Sequence, residues 1–214
     1  MTTLTTPPVS TMLKRMFADA EANREILHKR REALRAQGIE RDAPEYAAAM
    51  REAYMAIAPE TGKLLYLLVR VRKPKLIVEF GTSFGVSATH IAAGLKDNGE
   101  GRLITTEREA NKIAATRASL IEAGLADLVE IREGNAMETL ATNLPGPVDL
   151  LFLDGAKHLY IDLINLLEPR FAPAALIVAD NANTAGYRDY IRAQERFVST
   201  AIDNRVELTF FAGR

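Results

Sequence analysis

The chain has 214 residues, 48% of them hydrophobic and 26% charged, which is enough for one domain with a substantial core and does not require a second. Its 27 Lys and Arg residues nearly balance 28 Asp and Glu residues, so the net charge of -1 offers no attraction to nucleic acid or to an acidic membrane and favours a small-molecule partner. The absence of cysteine excludes disulfides, zinc ribbons and thiol catalysis.

The amino-terminal stretch MTTLTTPPVS contains two prolines and several polar residues, so we predict a mobile arm over residues 1–10. This stretch lacks the basic start and the apolar centre of a signal peptide. No run in the sequence reaches the roughly 18 apolar residues of a membrane span. Together these features predict a cytoplasmic protein.

Residues 11–73 have a helix-forming composition. We predict one helix over residues 10–36 that stops before Gly38, a second over residues 43–58, and a third that begins at Pro59, a favourable first-turn residue. Three roles for these helices fit the sequence equally well: a cap over the site, a layer packed on the sheet, or the surface of a dimer. The last role makes a homodimer the expected assembly.

Strands and helices alternate over residues 74–214, where we expect the sheet core. The predicted strands cover residues 75–80, 102–106, 128–132, 148–153 and 174–179, and the helices between them cover 86–96, 109–123 and 159–171, with a short one after Asn135. The run 150–153 has no polar alternation, which is typical of a parallel strand buried on both faces. Residues 197–202 and 206–211 predict a hairpin. The expected fold class is α/β, with a doubly wound, mostly parallel sheet of seven strands, an antiparallel carboxyl-terminal hairpin and extra amino-terminal helices.

The first predicted strand ends in a glycine-rich turn, EFGTSFGVS at residues 79–87. Glycine lets the backbone approach a ligand, and the following helix offers free N–H groups. The dinucleotide fingerprint G-x-G-x-x-G is absent because position 83 is Ser. The second strand ends at Glu107, which can accept both hydroxyl hydrogens of a ribose, and the third leads to Gly134-Asn135-Ala136, a small surface beside an amide that suits adenine. A purely structural turn is the alternative.

These separate motifs, in this order, resemble those of class I S-adenosylmethionine-dependent methyltransferases, and more narrowly the catechol and caffeoyl-CoA O-methyltransferase family with its bacterial members. The resemblance implies a Rossmann-like methyltransferase fold and S-adenosylmethionine as cofactor, with the turn on the methionine part, Glu107 on the ribose and Asn135 on the adenine. The cofactor contacts that it implies come from Met55, Glu79, Gly81, Thr82, Ser83, Gly85, Ser87, Glu107, Gly134, Asn135, Ala136 and Asp154.

Oxygen-bearing side chains follow the fourth and fifth predicted strands: Asp154 after the fourth, and Asp180 and Asn181 after the fifth. Adjacent strands lie ~4.8 Å apart, so these three groups can converge on one ion at the carboxyl edge of the sheet. Oxygen ligands without His or Cys favour Mg²⁺, or Mn²⁺ or Ca²⁺, over zinc. The open coordination positions suit an acceptor with vicinal hydroxyls, as in a catechol. The family resemblance implies the same metal ligands.

Lys157 belongs to a D-x-x-K-x-x-Y pattern that the family shares and that Asp154 and Tyr160 complete. Methyl transfer to oxygen needs an oxyanion, and a phenol is mostly protonated at neutral pH. We predict that Lys157 is the general base, with a pKa lowered by burial and a nearby cation, and that Asp154 is the second catalytic residue. Ala156, Lys157 and His158 are the predicted substrate contacts.

The predicted function is O-methylation, dependent on S-adenosylmethionine and a divalent metal, of a small phenolic acceptor with vicinal hydroxyls. Three alternatives are a methyltransferase without a metal, a nicotinamide-dependent oxidoreductase and a non-catalytic binding protein. At the residue level, Asp154 and Asp180 with Asn181 have an alternative role as helix caps, and Lys157 as a solvated first-turn residue.

Some positions depart from the pattern of the animal catechol enzymes. Gly155 and Ala156 stand where those enzymes carry a bulky aromatic gatekeeper, and Ala185 stands where they place a proline in the substrate wall. Their acid near the carboxyl terminus has no clear counterpart, and Ser199 lies about there. The metal and base motifs survive these changes, so the differences bear on which acceptor fits.

Overall fold

A computed structural model describes residues 1–40, 43–184 and 186–213, apart from the side chains of residues 44 and 47. The helices are α1 (Val9–Ala22), α2 (Arg24–Ala36), α3 (Pro44–Ala49), α4 (Pro59–Arg72), α5 (Val86–Asn98), α6 (Ala110–Glu122), α7 (Ala136–Thr139), α8 (Tyr160–Leu167) and α9 (Tyr187–Arg192). The strands are β1 (Leu76–Phe80), β2 (Arg102–Glu107), β3 (Val129–Glu133), β4 (Val148–Leu153), β5 (Phe171–Ala179), β6 (Phe197–Ala201) and β7 (Glu207–Phe211).

The seven strands form one sheet in the order β3-β2-β1-β4-β5-β7-β6. Strands β1 to β5 pair in parallel, whereas β7 runs antiparallel to both β5 and β6. The predicted fold class is therefore confirmed. The chain order reverses between β1 and β4, and in open α/β sheets ligands bind outside the carboxyl ends of the strands at such a switch point.

Apolar side chains on the two faces of the sheet form two separate cores. On one face, α1 and α4 pack with α5, and on the other the core is completed by α8 and α9. Strand β1 is buried at every position, Glu79 included, as expected of a parallel strand that is covered on both faces. Of the three roles considered for the amino-terminal helices, α1 and α4 take that of a packed layer. No helix within the described ranges is long and apolar enough to cross a membrane.

The first ten residues differ from the predicted mobile arm. Residues Thr3–Thr5 form a short 3-10 helix, and the Thr3 backbone N–H and hydroxyl both donate to the Asp97 carboxylate at the end of α5. Leu4 packs against the core. Composition indicated a polar arm, but it could not reveal the acceptor on α5 that holds the arm in place.

Two helix predictions need correction. The helix expected over residues 10–36 is interrupted at Asn23, whose side-chain amide donates to the Asp19 carbonyl at the end of α1. The helix expected over residues 43–58 ends at Ala49, and residues 51–58 are irregular. Residues 51–58 make tertiary contacts, described below, with the glycine-rich turn at residues 79–87 (the cofactor turn). These contacts override the helical propensity of the segment.

Candidate active site

The turn after β1 requires glycine at two positions. Gly81 has φ +93° and Gly85 has φ +84°, in the left-handed region that favours glycine. A Cβ on Gly81 would lie 2.8 Å from the backbone of Gly155, which follows Asp154 at the end of β4. The two neighbouring strand ends therefore approach each other too closely for any side chain at position 81.

Three polar side-chain atoms at this turn are buried and have no hydrogen-bond partner within the described chain: Glu79 Oε1, Thr82 Oγ1 and Ser83 Oγ. Helix α5 begins just beyond, at Val86, and no side chain caps its free N–H groups because the N-cap residue is Gly85. Buried polar groups normally have partners, so unpaired ones at a strand-to-helix turn point to a place where a ligand binds. The turn fits a ligand with an ammonium and a carboxylate, as in the methionine part of S-adenosylmethionine.

Glu79 is fully buried, and its Oε2 accepts a hydrogen bond from the Thr105 hydroxyl. Burial raises the pKa of this carboxyl to about 7 from an ordinary 4.5, although nearby hydroxyls favour the charged form. The side chain is thus placed to change charge when a cationic ligand arrives.

The raised pKa of Glu79 predicts a pH-dependent stability. An acid that binds its proton more tightly when folded stabilises the fold below its unfolded pKa of 4.5, and that contribution is lost as pH rises to about 7. The size is on the order of 3 kcal/mol. We expect the urea-unfolding free energy of the ligand-free protein to fall between pH 4.5 and 7, and the fall to be smaller in Glu79→Gln. Equal falls in both proteins would contradict this prediction. Some fall should persist in Glu79→Gln, because burial also raises the pKa of Asp154, to about 6.

Glu107 lies at the tip of β2 beside the turn. Its Oε1 accepts from the backbone N–H groups of Arg108, at 2.7 Å, and Glu109, at 3.1 Å, and its Oε2 accepts from that of Ser83 at 2.9 Å. These bonds orient Glu107 and leave the second lone pair of Oε2 for the predicted ribose contact.

The tip of β3 carries the residues predicted to flank adenine. Gly134 has φ +124°, and its N–H donates to the Glu107 carbonyl, which places β3 against β2. Asn135 caps α7 through its side-chain oxygen, which accepts from the Met137 N–H at 3.1 Å. Ala136 is buried. The capping role of Asn135 was not predicted, and its contact with adenine stays a prediction.

Residues 51–58 pass beside the cofactor turn. The Tyr54 ring stacks on Phe84 of the turn, with centroids 4.4 Å apart and an interplanar angle of 6°. Burial raises the pKa of Tyr54 to about 12. Met55 packs against the small cluster formed by α2 and α3, so its predicted cofactor contact remains a prediction. Sequence reasoning missed Tyr54 and Phe84, because a stack between distant segments leaves no periodic signal.

At the end of β4, Lys157 contacts Asp154. Its Nζ donates to Asp154 Oδ1 at 2.9 Å, and both side chains are about one-fifth exposed. Desolvation raises the pKa of Asp154 to about 6; the Lys157 ammonium opposes this rise, whereas the Asp180 carboxylate adds to it. Asp154 and Asp180 directly follow the paired residues Leu153 and Ala179, and the Asp180 N–H donates to the Leu153 carbonyl at 2.9 Å, so the two acids lie at neighbouring strand ends.

Tyr160 holds the two strand ends together. Its hydroxyl lies 2.9 Å from the Leu153 carbonyl and 2.9 Å from the Asp180 carbonyl, and the side chain is buried. Its ring lies beneath Lys157, with Nζ 5.3 Å from the centroid. Tyr160 therefore positions the site.

Asp180 and Asn181, at the end of β5, both contact Arg205, which sequence reasoning missed. Arg205 Nη2 lies 3.0 Å from Asp180 Oδ2 and 3.2 Å from Oδ1. With its amide oriented so that the oxygen faces the guanidinium, Asn181 accepts from Nη2 at 2.8 Å and from Nε at 2.9 Å. Asp180 Oδ1 also accepts from the Asn181 N–H.

The predicted metal ligands fit a divalent cation in their chemistry. Two carboxylates and an amide oxygen from neighbouring strand ends are the hard donors that Mg²⁺ prefers. In the observed arrangement, however, Arg205 engages Asp180 and Asn181, and Lys157 engages Asp154. A metal ion therefore fits this site only if the Arg205 side chain moves away.

On the predicted substrate side, Ala156 and His158 are exposed. A Cβ on Gly155 would lie 2.5 Å from the Phe80 ring, so Phe80 fills the space that an aromatic gatekeeper at position 155 would need. Ser199 lies on β6, two strands from β5, and its hydroxyl donates to the buried Glu207 at 2.7 Å. Ala185 lies outside the described residues.

The sheet order, with a glycine turn at its switch point, defines the class of Rossmann-like methyltransferases. A family model described as a methyltransferase domain matches residues 78–182. The chain is 36% identical over 130 residues to the catechol O-methyltransferase of Niastella koreensis, which covers 59% of the chain and 58% of that enzyme. It is 32% identical over 151 residues to the catechol O-methyltransferase of Mycobacterium tuberculosis, covering 68% of each. The chain belongs to the family of S-adenosylmethionine-dependent O-methyltransferases that includes these catechol enzymes.

Solved structures agree with this assignment. The O-methyltransferase of Bacillus cereus in complex with SAH is 25% identical, with a TM-score of 0.65, over 77% of this chain and 86% of that one. Cofactor-bound Rv0187 from MTB has a TM-score of 0.72 over 99% of this chain and 94% of that one; at 22% identity it shows a common fold. The family is not that of the nicotinamide-dependent oxidoreductases, the alternative from another enzyme class.

Proposed function

We propose that this chain transfers a methyl group from S-adenosylmethionine to a hydroxyl of a small phenolic acceptor with vicinal hydroxyls, with a divalent metal ion held by Asp154, Asp180 and Asn181. The observation that carries the proposal is the convergence of Lys157, Asp154 and Asp180 at the paired ends of β4 and β5, directly beside the turn after β1, where buried polar atoms lack partners within the described chain. The homodimer and the cytoplasmic location expected from the sequence stay predictions.

The cofactor residues bind and orient. When bound, S-adenosylmethionine supplies an electrophilic methyl group on a sulfonium. Glu79 and Thr82 offer buried polar atoms without partners, and the free N–H groups of α5 suit a carboxylate. Glu107 is oriented by backbone N–H groups for a ribose. These contacts support a fixed cofactor position at the switch point, which supplies the proximity that a two-substrate transfer needs.

At the acceptor end, Lys157 in its neutral amine form accepts the hydroxyl proton on Nζ and becomes the ammonium that pairs with Asp154. Its side chain is about one-fifth exposed and rests on the Tyr160 ring, so it is held at the edge of the sheet and still accessible to an acceptor. Asp154 orients Lys157 through their hydrogen bond. When bound at Asp154, Asp180 and Asn181, a divalent ion would lower the pKa of a coordinated hydroxyl. The names of the two relatives, both catechol O-methyltransferases, support vicinal hydroxyls as the acceptor class.

A second candidate keeps the cofactor and dispenses with the metal ion. The contact of Arg205 with Asp180 and Asn181 favours this candidate, because a cation already neutralises Asp180 and occupies the Asn181 amide oxygen, the two groups that a metal would need. In this candidate Lys157 alone activates the acceptor.

Transfer of a labelled methyl group would test the proposal and separate the two candidates. A panel would pair each 1,2-dihydroxyphenyl acceptor with its monohydroxy analogue, with magnesium or with EDTA. We expect the diol to react at least about ten-fold faster than the monohydroxy compound, and EDTA to lower the diol rate at least about ten-fold, with magnesium restoring it. Equal rates for the two acceptors would refute the vicinal-hydroxyl requirement. A diol rate unchanged by EDTA would favour the metal-independent candidate.

A further inference from the structure

The Arg205 side chain is free to leave the site, whereas its backbone is held. Arg205 lies in the turn between β6 and β7, where its N–H donates to Asp203 Oδ1 at 2.7 Å and its carbonyl accepts from the Ala182 N–H at 2.8 Å. The turn is thereby attached to the residue that follows Asn181. The side chain itself is 47% exposed, so it can rotate into solvent without disturbing the turn.

Charge explains why the guanidinium sits there. Asp180 is 2% exposed, and an unpaired carboxylate at such a position is strongly unfavourable. Arg205 supplies a charge-assisted fork to Asp180 and to the neighbouring amide. Lys157 pairs in the same way with Asp154, so the two positive and two negative charges of these four residues cancel without any bound ion.

A divalent ion would neutralise the same carboxylate through the same oxygens. Arg205 Nη2 lies within hydrogen-bond distance of both Asp180 oxygens and of the Asn181 amide. A guanidinium and a metal ion cannot occupy these oxygens together, because their positions coincide and their charges repel. Binding of one therefore requires release of the other.

We propose that Arg205 is a tethered cation that competes with the divalent metal ion for Asp180 and Asn181. The inference rests on the metal site of the proposed function and adds that the affinity of this site for metal is set by Arg205. Metal binds when the guanidinium rotates into solvent, and the guanidinium keeps Asp180 paired when metal is absent. A guanidinium with a purely structural role would affect stability and leave metal affinity unchanged.

Mn²⁺ binding to metal-stripped protein, followed by the electron paramagnetic resonance signal of free Mn²⁺, tests the competition. We expect Arg205→Gln to bind Mn²⁺ at least about ten-fold more tightly than the unmodified protein. Arg205→Lys keeps the charge but loses the fork, so its affinity should fall between the two. Arg102→Gln is the matched control: Arg102 begins β2 at the opposite edge of the sheet, pairs with Glu130 and is half exposed. Its affinity should stay within about two-fold of the unmodified protein, since screening removes distant surface charge effects.

Equal affinity in the unmodified protein and Arg205→Gln would overturn the competition, as would an absence of binding in both. Tight binding in Arg205→Gln together with none in the unmodified protein supports it. That same result removes the metal from the proposed reaction, an outcome that the EDTA experiment detects separately. Circular dichroism and thermal unfolding of each variant verify that the fold is intact.

Discussion

Replacing Lys157 with Arg should lower kcat by about 100-fold or more while leaving the affinity for S-adenosylhomocysteine unchanged. Arginine keeps the positive charge beside Asp154, so the ion pair that positions the site is preserved. The guanidinium is always protonated and cannot accept the acceptor proton, and loss of a general base typically costs about 10²–10⁴ in rate. Initial rates at saturating diol and cofactor, with calorimetry for S-adenosylhomocysteine, provide the two measurements.

Lys157→Met complements this variant because it removes both the base and the charge. We expect its kcat to be as low as that of Lys157→Arg, with a lower melting temperature, since Asp154 is left without its partner. A Lys157→Arg enzyme that keeps kcat within a few-fold of the unmodified protein would show that position 157 acts through its charge alone. Proton transfer would then need another group.

Gly81→Ala should weaken cofactor binding by about ten-fold or more and reduce the unfolding free energy by about 1–3 kcal/mol. Two effects combine at this position. The backbone has φ +93°, which costs about 1–2 kcal/mol with a side chain, and the new Cβ would lie 2.8 Å from the Gly155 backbone. Relief of that contact must separate the ends of β1 and β4, which carry the cofactor turn and Asp154. Urea unfolding and calorimetry with S-adenosylhomocysteine measure the two losses.

Gly99→Ala is the matched control for Gly81→Ala. Gly99 ends α5 with φ +74°, and a Cβ there would meet nothing within 4 Å. Backbone strain in Gly99→Ala should lower the unfolding free energy by about 1 kcal/mol, without any change in cofactor affinity. If Gly81→Ala binds S-adenosylhomocysteine as tightly as Gly99→Ala does, the close approach of the two strand ends is not what shapes the cofactor site.

Most of the sheet could be predicted because its strands are covered on both faces. Burial on both faces makes an uninterrupted apolar run, and β4 spans exactly the predicted residues Val148–Leu153. The amino-terminal helices were harder. Residues 51–58 have a helical composition but are irregular, because Tyr54 stacks on Phe84 more than twenty positions away along the chain.

The sequence by itself determined the family, the fold class and the positions of the chemical groups. Strand ends are recognisable, and parallel strands bring their carboxyl ends to one edge, so Asp154, Lys157 and Asp180 could be assigned to one site before any contact was known. Which groups touch was decided by the tertiary structure. Arg205 lies in a hairpin turn, and the turn residues predict the hairpin but no contact with Asp180. The guanidinium reaches Asp180 because β7 pairs with β5. The sequence led us to expect a metal ion at these acids. In the folded chain the guanidinium of Arg205 supplies the positive charge, because a carboxylate as buried as Asp180 requires a partner.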